Sequence, residues 1–85
     1  MTEAPKERIA QFIRECLYAR SDEQDVDESE SLFLSGRLDS LTVTKLVVFL
    51  EEAFRVDFAE HPFDVAELDS VVQITEFAEQ HGAGA

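Results

Sequence analysis

Apolar residues recur at helical steps in three stretches of the chain, and the segments between them are polar and acidic. Ile9, Phe12, Ile13, Cys16 and Leu17 line one face of a segment whose other face carries Lys6, Glu7, Arg14 and Glu15. This predicts a first helix capped at Thr2, with Glu3 and Pro5 in its opening turn, that runs to about Arg20. Proline is tolerated there because the first N–H groups of a helix lack intrahelical partners. A second helix is predicted from about Ser40 to Phe54, where Val43, Leu46, Val47, Leu50 and Phe54 form one stripe. Leu41, Thr44, Lys45, Val48 and Glu52 follow a second stripe, and one core face cannot use both. Pro62 prevents a single long helix afterwards, so a short third helix is placed at Val65 to Leu68. Val71, Ile74, Phe77 and Ala78 then mark a last helix. Asp69 or Ser70 caps it, with Ser70 and Gln73 at capping-box spacing, and Gly82 ends it.

These periods predict an all-α fold: a four-helix bundle of three longer helices and one short third helix, with a long loop between helices one and two. Residues 21 to 38 make that loop long for so small a domain, and such loops commonly carry function. Leu32, Phe33 and Leu34 are expected to pin it to the core, and Gly36 to supply backbone freedom before the second helix. Asp25, Asp27 and Ser29 alternate like the opening of a calcium loop. That reading fails, because Glu30 stands where the motif needs glycine and Gly36 where it needs glutamate.

Eighty-five residues make one small domain, taken as residues 1–85 with a frayed tail at 82–85. At 45% hydrophobic and 31% charged residues, the chain is globular rather than disordered. Cys16 is the single cysteine, which excludes an internal disulfide and a cysteine-rich zinc site, and its register makes it a small core residue. His61 stands before a proline and His81 at a helix end; neither spacing suggests a metal, and His81 is placed to interact with terminal carbonyls. A formal net charge of -12 argues against nucleic acid and for partners with basic surfaces. Residues 1–20 are net +1, whereas residues 21–31 and residues 59–85 each carry -6. The acidic run from Asp22 to Glu30 is read first as a solvated loop. The longest apolar run, Leu46 to Leu50, is too short to enter a membrane as a span, and the expected location is the cytoplasm.

The candidate chemistry lies at Ser40. A lone hydroxyl between Asp39 and Leu41, at the start of an amphipathic helix, points outward and can be reached. With no histidine near it in sequence, it lacks the positioned base that self-activated nucleophilic chemistry needs, so it reads as a serine that is modified rather than one that catalyses.

Around Ser40 the chain resembles the acyl carrier protein and peptidyl carrier protein superfamily. Asp39, Ser40 and Leu41 match its Asp-Ser-Leu triplet, and the spacing from LFLSG to that triplet and on to LEEAF matches as well. The resemblance implies that Ser40 accepts 4'-phosphopantetheine from coenzyme A, with magnesium needed only by the modifying transferase. It implies a non-catalytic carrier that holds an acyl or aminoacyl group as a thioester and presents it to partner enzymes of a lipid, polyketide or nonribosomal-peptide-type pathway. The implied partners are a phosphopantetheinyl transferase, an activating ligase and a downstream synthase or transferase, with the carrier itself a monomer. Leu41, Thr44, Lys45, Val48, Glu51 and Glu52 are the candidate docking residues. Val47, Leu50, Phe63 and Leu68 are candidates for lining a cargo groove.

Thr42 and Lys45 stand where fatty-acid carriers typically have acidic residues, so the docking surface is read as less acidic at that end. Glu51 and Glu52 match the family's later acidic pair. FDVAELDSVVQI is similar to a segment of D-alanyl and aminoacyl carrier proteins, which leaves acyl and aminoacyl cargo both open. The alternative from another class is a small acidic helical adaptor that binds a basic partner without a prosthetic group, with Ser40 only a helix cap.

Overall fold

The computed structural model describes residues 4–22, 25–60 and 62–82. Among them are three α-helices, α1 (Pro5–Ala19), α2 (Ser40–Phe54) and α3 (Val71–His81), one 3-10 helix (Val65–Leu68) and no strand. The short third helix is therefore a single 3-10 turn.

The first helix starts later than its sequence suggests. Ala4 is the N-cap and makes no side-chain capping bond; its carbonyl accepts from the Glu7 and Arg8 N–H groups. Thr2, the expected cap, lies outside the described residues. Ile9, Ile13 and Leu17 are buried, and Phe12 and Cys16 pack partly buried against the same core. At its other end Ser21 adopts a left-handed φ of 64°, and the Asp22 N–H reaches back to the Leu17 carbonyl. That Schellman-type turn satisfies a terminal carbonyl and swings the chain out of the helix.

The core is one cluster drawn from all three helices and the loop: Ile9, Ile13 and Leu17, then Leu32 and Leu38, then Leu46 and Leu50, then Leu68, Val71 and Ile74. Helices α1 and α3 form the most extensive helix–helix contact. The seam with α2 is aromatic. Phe12 stacks on Phe49 with centroids 4.5 Å apart, Phe49 meets Phe54 edge-on, and the Arg8 guanidinium lies 5.0 Å over the Phe54 ring. A second aromatic group, Phe58, Phe63 and Phe77, closes the end near the α3 C-terminus.

The inward face of α2 differs by one position from the expected stripe. Thr42, Leu46, Leu50 and Phe54 are buried, whereas Val43 and Val47 are half-buried. Thr42 is tolerated inside because its hydroxyl donates to Asp39 Oδ1 at 3.2 Å. Of Thr42 and Lys45, only Lys45 is therefore exposed on the surface. Leu34 corrects another expectation. Leu32 is fully buried and Phe33 half-buried, but Leu34 is 69% exposed, because three consecutive residues of a tight turn cannot all face inward.

Helix α3 is capped by Ser70, whose Oγ accepts from the Gln73 N–H at 3.2 Å, while Gln73 Oε1 accepts from the Asp69 N–H and the Ser70 hydroxyl. This is a variant of the capping box, in which Gln73 takes the N–H of Asp69 rather than that of the cap Ser70, and it leaves the Asp69 side chain free to turn elsewhere. Gly82 ends α3 at φ -80°, so its smallness rather than left-handed freedom is what counts. A Cβ there would lie 2.5 Å from the Ala78 carbonyl oxygen and 2.7 Å from that of Phe54. Its N–H bonds to the Ala78 carbonyl, and residues 83–85 lie outside the described residues. The His81 ring packs against Phe77 at 4.6 Å, and His61 lies outside the described residues. Among the described residues no helix is long and apolar enough to cross a membrane.

Candidate functional site

The site is the junction at which the long loop becomes α2. Asp39, in extended conformation, is the N-cap: Oδ1 accepts from the Thr42 N–H at 3.1 Å and from the Thr42 hydroxyl. Its other oxygen, Oδ2, takes a charge-assisted bond from Arg20 Nη1 at 2.8 Å. The Thr42 amide first, then the Thr42 hydroxyl and the Arg20 guanidinium, outweigh desolvation and hold the Asp39 carboxyl below its ordinary value.

Ser40 is therefore the first residue inside α2 rather than its cap. It is exposed, and among the described residues its hydroxyl has no hydrogen-bond partner; its carbonyl accepts from Thr44 Oγ1. A helix N-terminus leaves N–H groups unsatisfied and carries the positive end of the helix dipole, which favours a negative group attached there. A phosphodiester on Ser40 Oγ fits that environment without displacing any contact. Cys16, the single thiol, is not activated: burial raises its pKa, Lys45 opposes and Glu15 adds to the rise, so it stays protonated at neutral pH.

The second stripe of α2 faces solvent as its period implies. Leu41 is 65% and Val48 46% exposed, and Thr44, Lys45, Glu51 and Glu52 are exposed beside them. The four groove candidates divide. Leu50 and Leu68 are fully buried core residues, while Val47 and Phe63 are half-buried.

Two clamps hold the loop that delivers Ser40, and the sequence reading singled out neither. Arg37, its side chain only 12% exposed, forks onto Asp22 through Nε and Nη2 at 3.0 and 3.2 Å. Its Nη1 reaches Glu30 at 2.9 Å and the Asp25 carbonyl at 3.1 Å. Lys6 takes Glu28 at 3.0 Å, and Asp27 and Glu30 each accept a local backbone N–H. Among the described residues of the acidic run, Asp22, Asp27, Glu28 and Glu30 thus have partners within the molecule. Arg37 was the one legible signal, being the single cation between Ser21 and Leu38.

The second clamp is Asp69, 7% exposed. Its Oδ2 accepts from the Ser31 hydroxyl, its Oδ1 from the Phe33 and Leu34 N–H groups at 2.6 and 2.9 Å, and its carbonyl from the Leu32 N–H. Burial pushes this carboxyl up, but the bonds from Ser31, Leu34, Phe33 and Leu32 overcome it and hold it below the ordinary value. A carboxyl whose folded pKa lies below its unfolded value, about 3.9, stabilises fully above that value and loses the contribution as pH falls through the folded pKa. Thermal melts should therefore show Asp69→Asn less stable than wild type by about 1–2 kcal/mol at neutral pH, with the gap narrowing below about pH 4. A gap independent of pH would show that the charge at Asp69 is not what matters.

Comparison with known proteins bears on what this exposed serine is for. No curated protein and no solved structure gives a significant match. The family model described as a phosphopantetheine attachment site matches residues 7–78, which takes in the whole of α2, most of α1 and α3, Arg37 and Asp69, and the Asp39–Ser40–Leu41 triplet. The chain belongs to the phosphopantetheine attachment family, the superfamily of acyl and peptidyl carrier proteins.

Proposed function

We propose that Ser40 carries the 4'-phosphopantetheine arm of a carrier that holds acyl or aminoacyl cargo as a thioester. The observation that carries this reading is the Ser40 hydroxyl itself: exposed, unengaged among the described residues, and set on the first turn of α2 beside an Asp39 fixed from two sides. When bound, the arm supplies the thiol and the thioester chemistry. The chain's own residues keep the attachment point in place. Tethering raises the effective concentration of the cargo at each partner active site.

The face of Leu41, Thr44, Lys45, Val48, Glu51 and Glu52 is the docking surface in this reading, an apolar centre edged by both signs of charge. Partners are a phosphopantetheinyl transferase, an activating ligase and a synthase or transferase of a lipid, polyketide or nonribosomal-peptide-type pathway. Counting the 3-10 turn as the short third member makes the fold the four-helix bundle of such carriers. The carrier performs no catalysis, works as a monomer in the cytoplasm, and needs magnesium only through the transferase.

Incubation with coenzyme A, magnesium and a broad-specificity phosphopantetheinyl transferase, read by intact mass, tests this. Addition of a single phosphopantetheine is the expected result. A folded sample left unmodified by several transferases would replace the carrier with the small acidic adaptor.

A further inference from the structure

The contacts of Asp69 run in one direction along the chain. Among the described residues its side-chain bonds all go to residues 31–34, some 35 or more positions away in sequence, and none to α2. The segment it grips is short and tightly closed. Ser35 Oγ donates to the Ser31 carbonyl at 2.6 Å, the Gly36 N–H to the Phe33 carbonyl, and Gly36 takes the positive φ of 85° that reverses the chain. From there the Leu38 N–H returns to the Leu32 carbonyl at 2.8 Å, and the Leu38 side chain is buried. The next residue is Asp39, the cap of α2, and the one after it is Ser40.

The anchor itself is rigidly placed. Leu68, before it, and Val71, two residues after it, are core residues, and the capping box of Ser70 and Gln73 fixes the backbone between them. Asp69 thus joins a fixed point at the start of α3 to the turn that feeds α2, through hydrogen bonds with carboxylate strength on one side.

We propose that Asp69 is a positioning residue for the modification of Ser40: its carboxylate holds residues 31–34, and through the Leu32–Leu38 bond this sets where Asp39 caps α2 and where Ser40 is presented. The inference rests on Ser40 being the attachment site. It assigns Asp69 no contact with the incoming group. Loss of the clamp frees the turn before the cap, so Ser40 spends less time in the geometry a transferase can engage, and the defect falls on encounter rather than on the chemical step.

The test compares pantetheinylation kinetics of wild type, Asp69→Ala, Asp69→Asn and a core variant of similar melting temperature, Ile13→Val, all below their melting transitions. Amide NMR signals of Leu38, Asp39 and Ser40 are followed in parallel. In Asp69→Ala, KM for the carrier should rise about tenfold or more while kcat changes by less than about threefold, and the three amides should shift or broaden. Asp69→Asn, which keeps an acceptor for the Phe33 and Leu34 N–H groups, should recover part of the loss. Ile13→Val should show neither effect. The proposal falls if Asp69→Ala is folded yet modified like wild type with unchanged amides, or if Ile13→Val loses rate equally. If Asp69→Ala does not fold, Asp69→Asn decides by the same two readouts. Should wild type itself stay unmodified, the attachment reading falls, and the amide shifts alone decide whether Asp69 governs the Ser40 turn.

Discussion

Ser40→Ala is expected to abolish pantetheinylation while leaving helicity and the melting transition almost unchanged. The two effects separate because Asp39, not Ser40, is the helix cap: its carboxylate accepts the Thr42 N–H, and the Ser40 hydroxyl contributes no bond among the described residues. Removing an exposed, unengaged hydroxyl from the first turn, with alanine a better helix former, should alter stability by no more than about 0.5 kcal/mol. Intact mass after treatment with transferase, coenzyme A and magnesium, beside circular dichroism of the same samples, reads both. A phosphopantetheine on the alanine variant would place the attachment elsewhere and remove the reason for the geometry at Asp39. A large loss of stability would mean the hydroxyl is a structural cap after all, which is what the adaptor reading requires.

The helices were legible because their apolar periods are long and their ends carry distinct chemistry. Asp39 before Ser40, and Phe54 followed by a break in the pattern, set both ends of α2 where the structure has them; Ser70 with Gln73 does the same for the start of α3. The outward stripe from Leu41 to Glu52 was legible for the same reason. The first helix was misread at its start because threonine is a common cap, whereas the chain uses Ala4 and the tolerance of Pro5 at the first position.

The loop was much less legible. Periodicity reports which face of a regular element is apolar, and it leaves no trace of a carboxylate that turns inward to bind the backbone of a segment 35 residues away. Asp69 and Ser70 are both good caps, and sequence cannot say which one caps and which is free to clamp. Leu34 looked like core because it stands in an apolar triplet, but the turn that buries Leu32 sends it outward. The described residues of the charge run from Asp22 to Glu30 are exposed or half-exposed, as a solvated loop requires, but composition does not show that one arginine after it collects two of the carboxylates.

Among the polar side chains that hold the loop, that arginine is the place where a single change should cost most stability. Arg37→Met keeps a flexible stem of similar length and removes only the fork that binds Asp22, Glu30 and the Asp25 carbonyl. Surface ion pairs usually contribute little, but the Arg37 side chain is only 12% exposed and gathers two partly buried carboxylates in a segment of net charge -6, so its loss removes the counter-charge from both. Breaking a fully buried pair from one side costs about 3–5 kcal/mol, and partial exposure of Asp22 and Glu30 reduces this to roughly 2–3. In a domain whose total stability is expected at about 5–10 kcal/mol, that lowers the melting temperature by about 10–20 °C. Because the residual cost is repulsion within that acidic segment, added salt should restore part of it to the variant while changing wild type less. Arg37→Lys should recover less than half, since an ammonium supplies the charge without the planar fork that meets Asp22 through two nitrogens. A melting temperature within a few degrees of wild type, or a lysine variant as stable as wild type, would show that the loop is held by Asp69 and its apolar residues, with the arginine merely resting on its acidic surface.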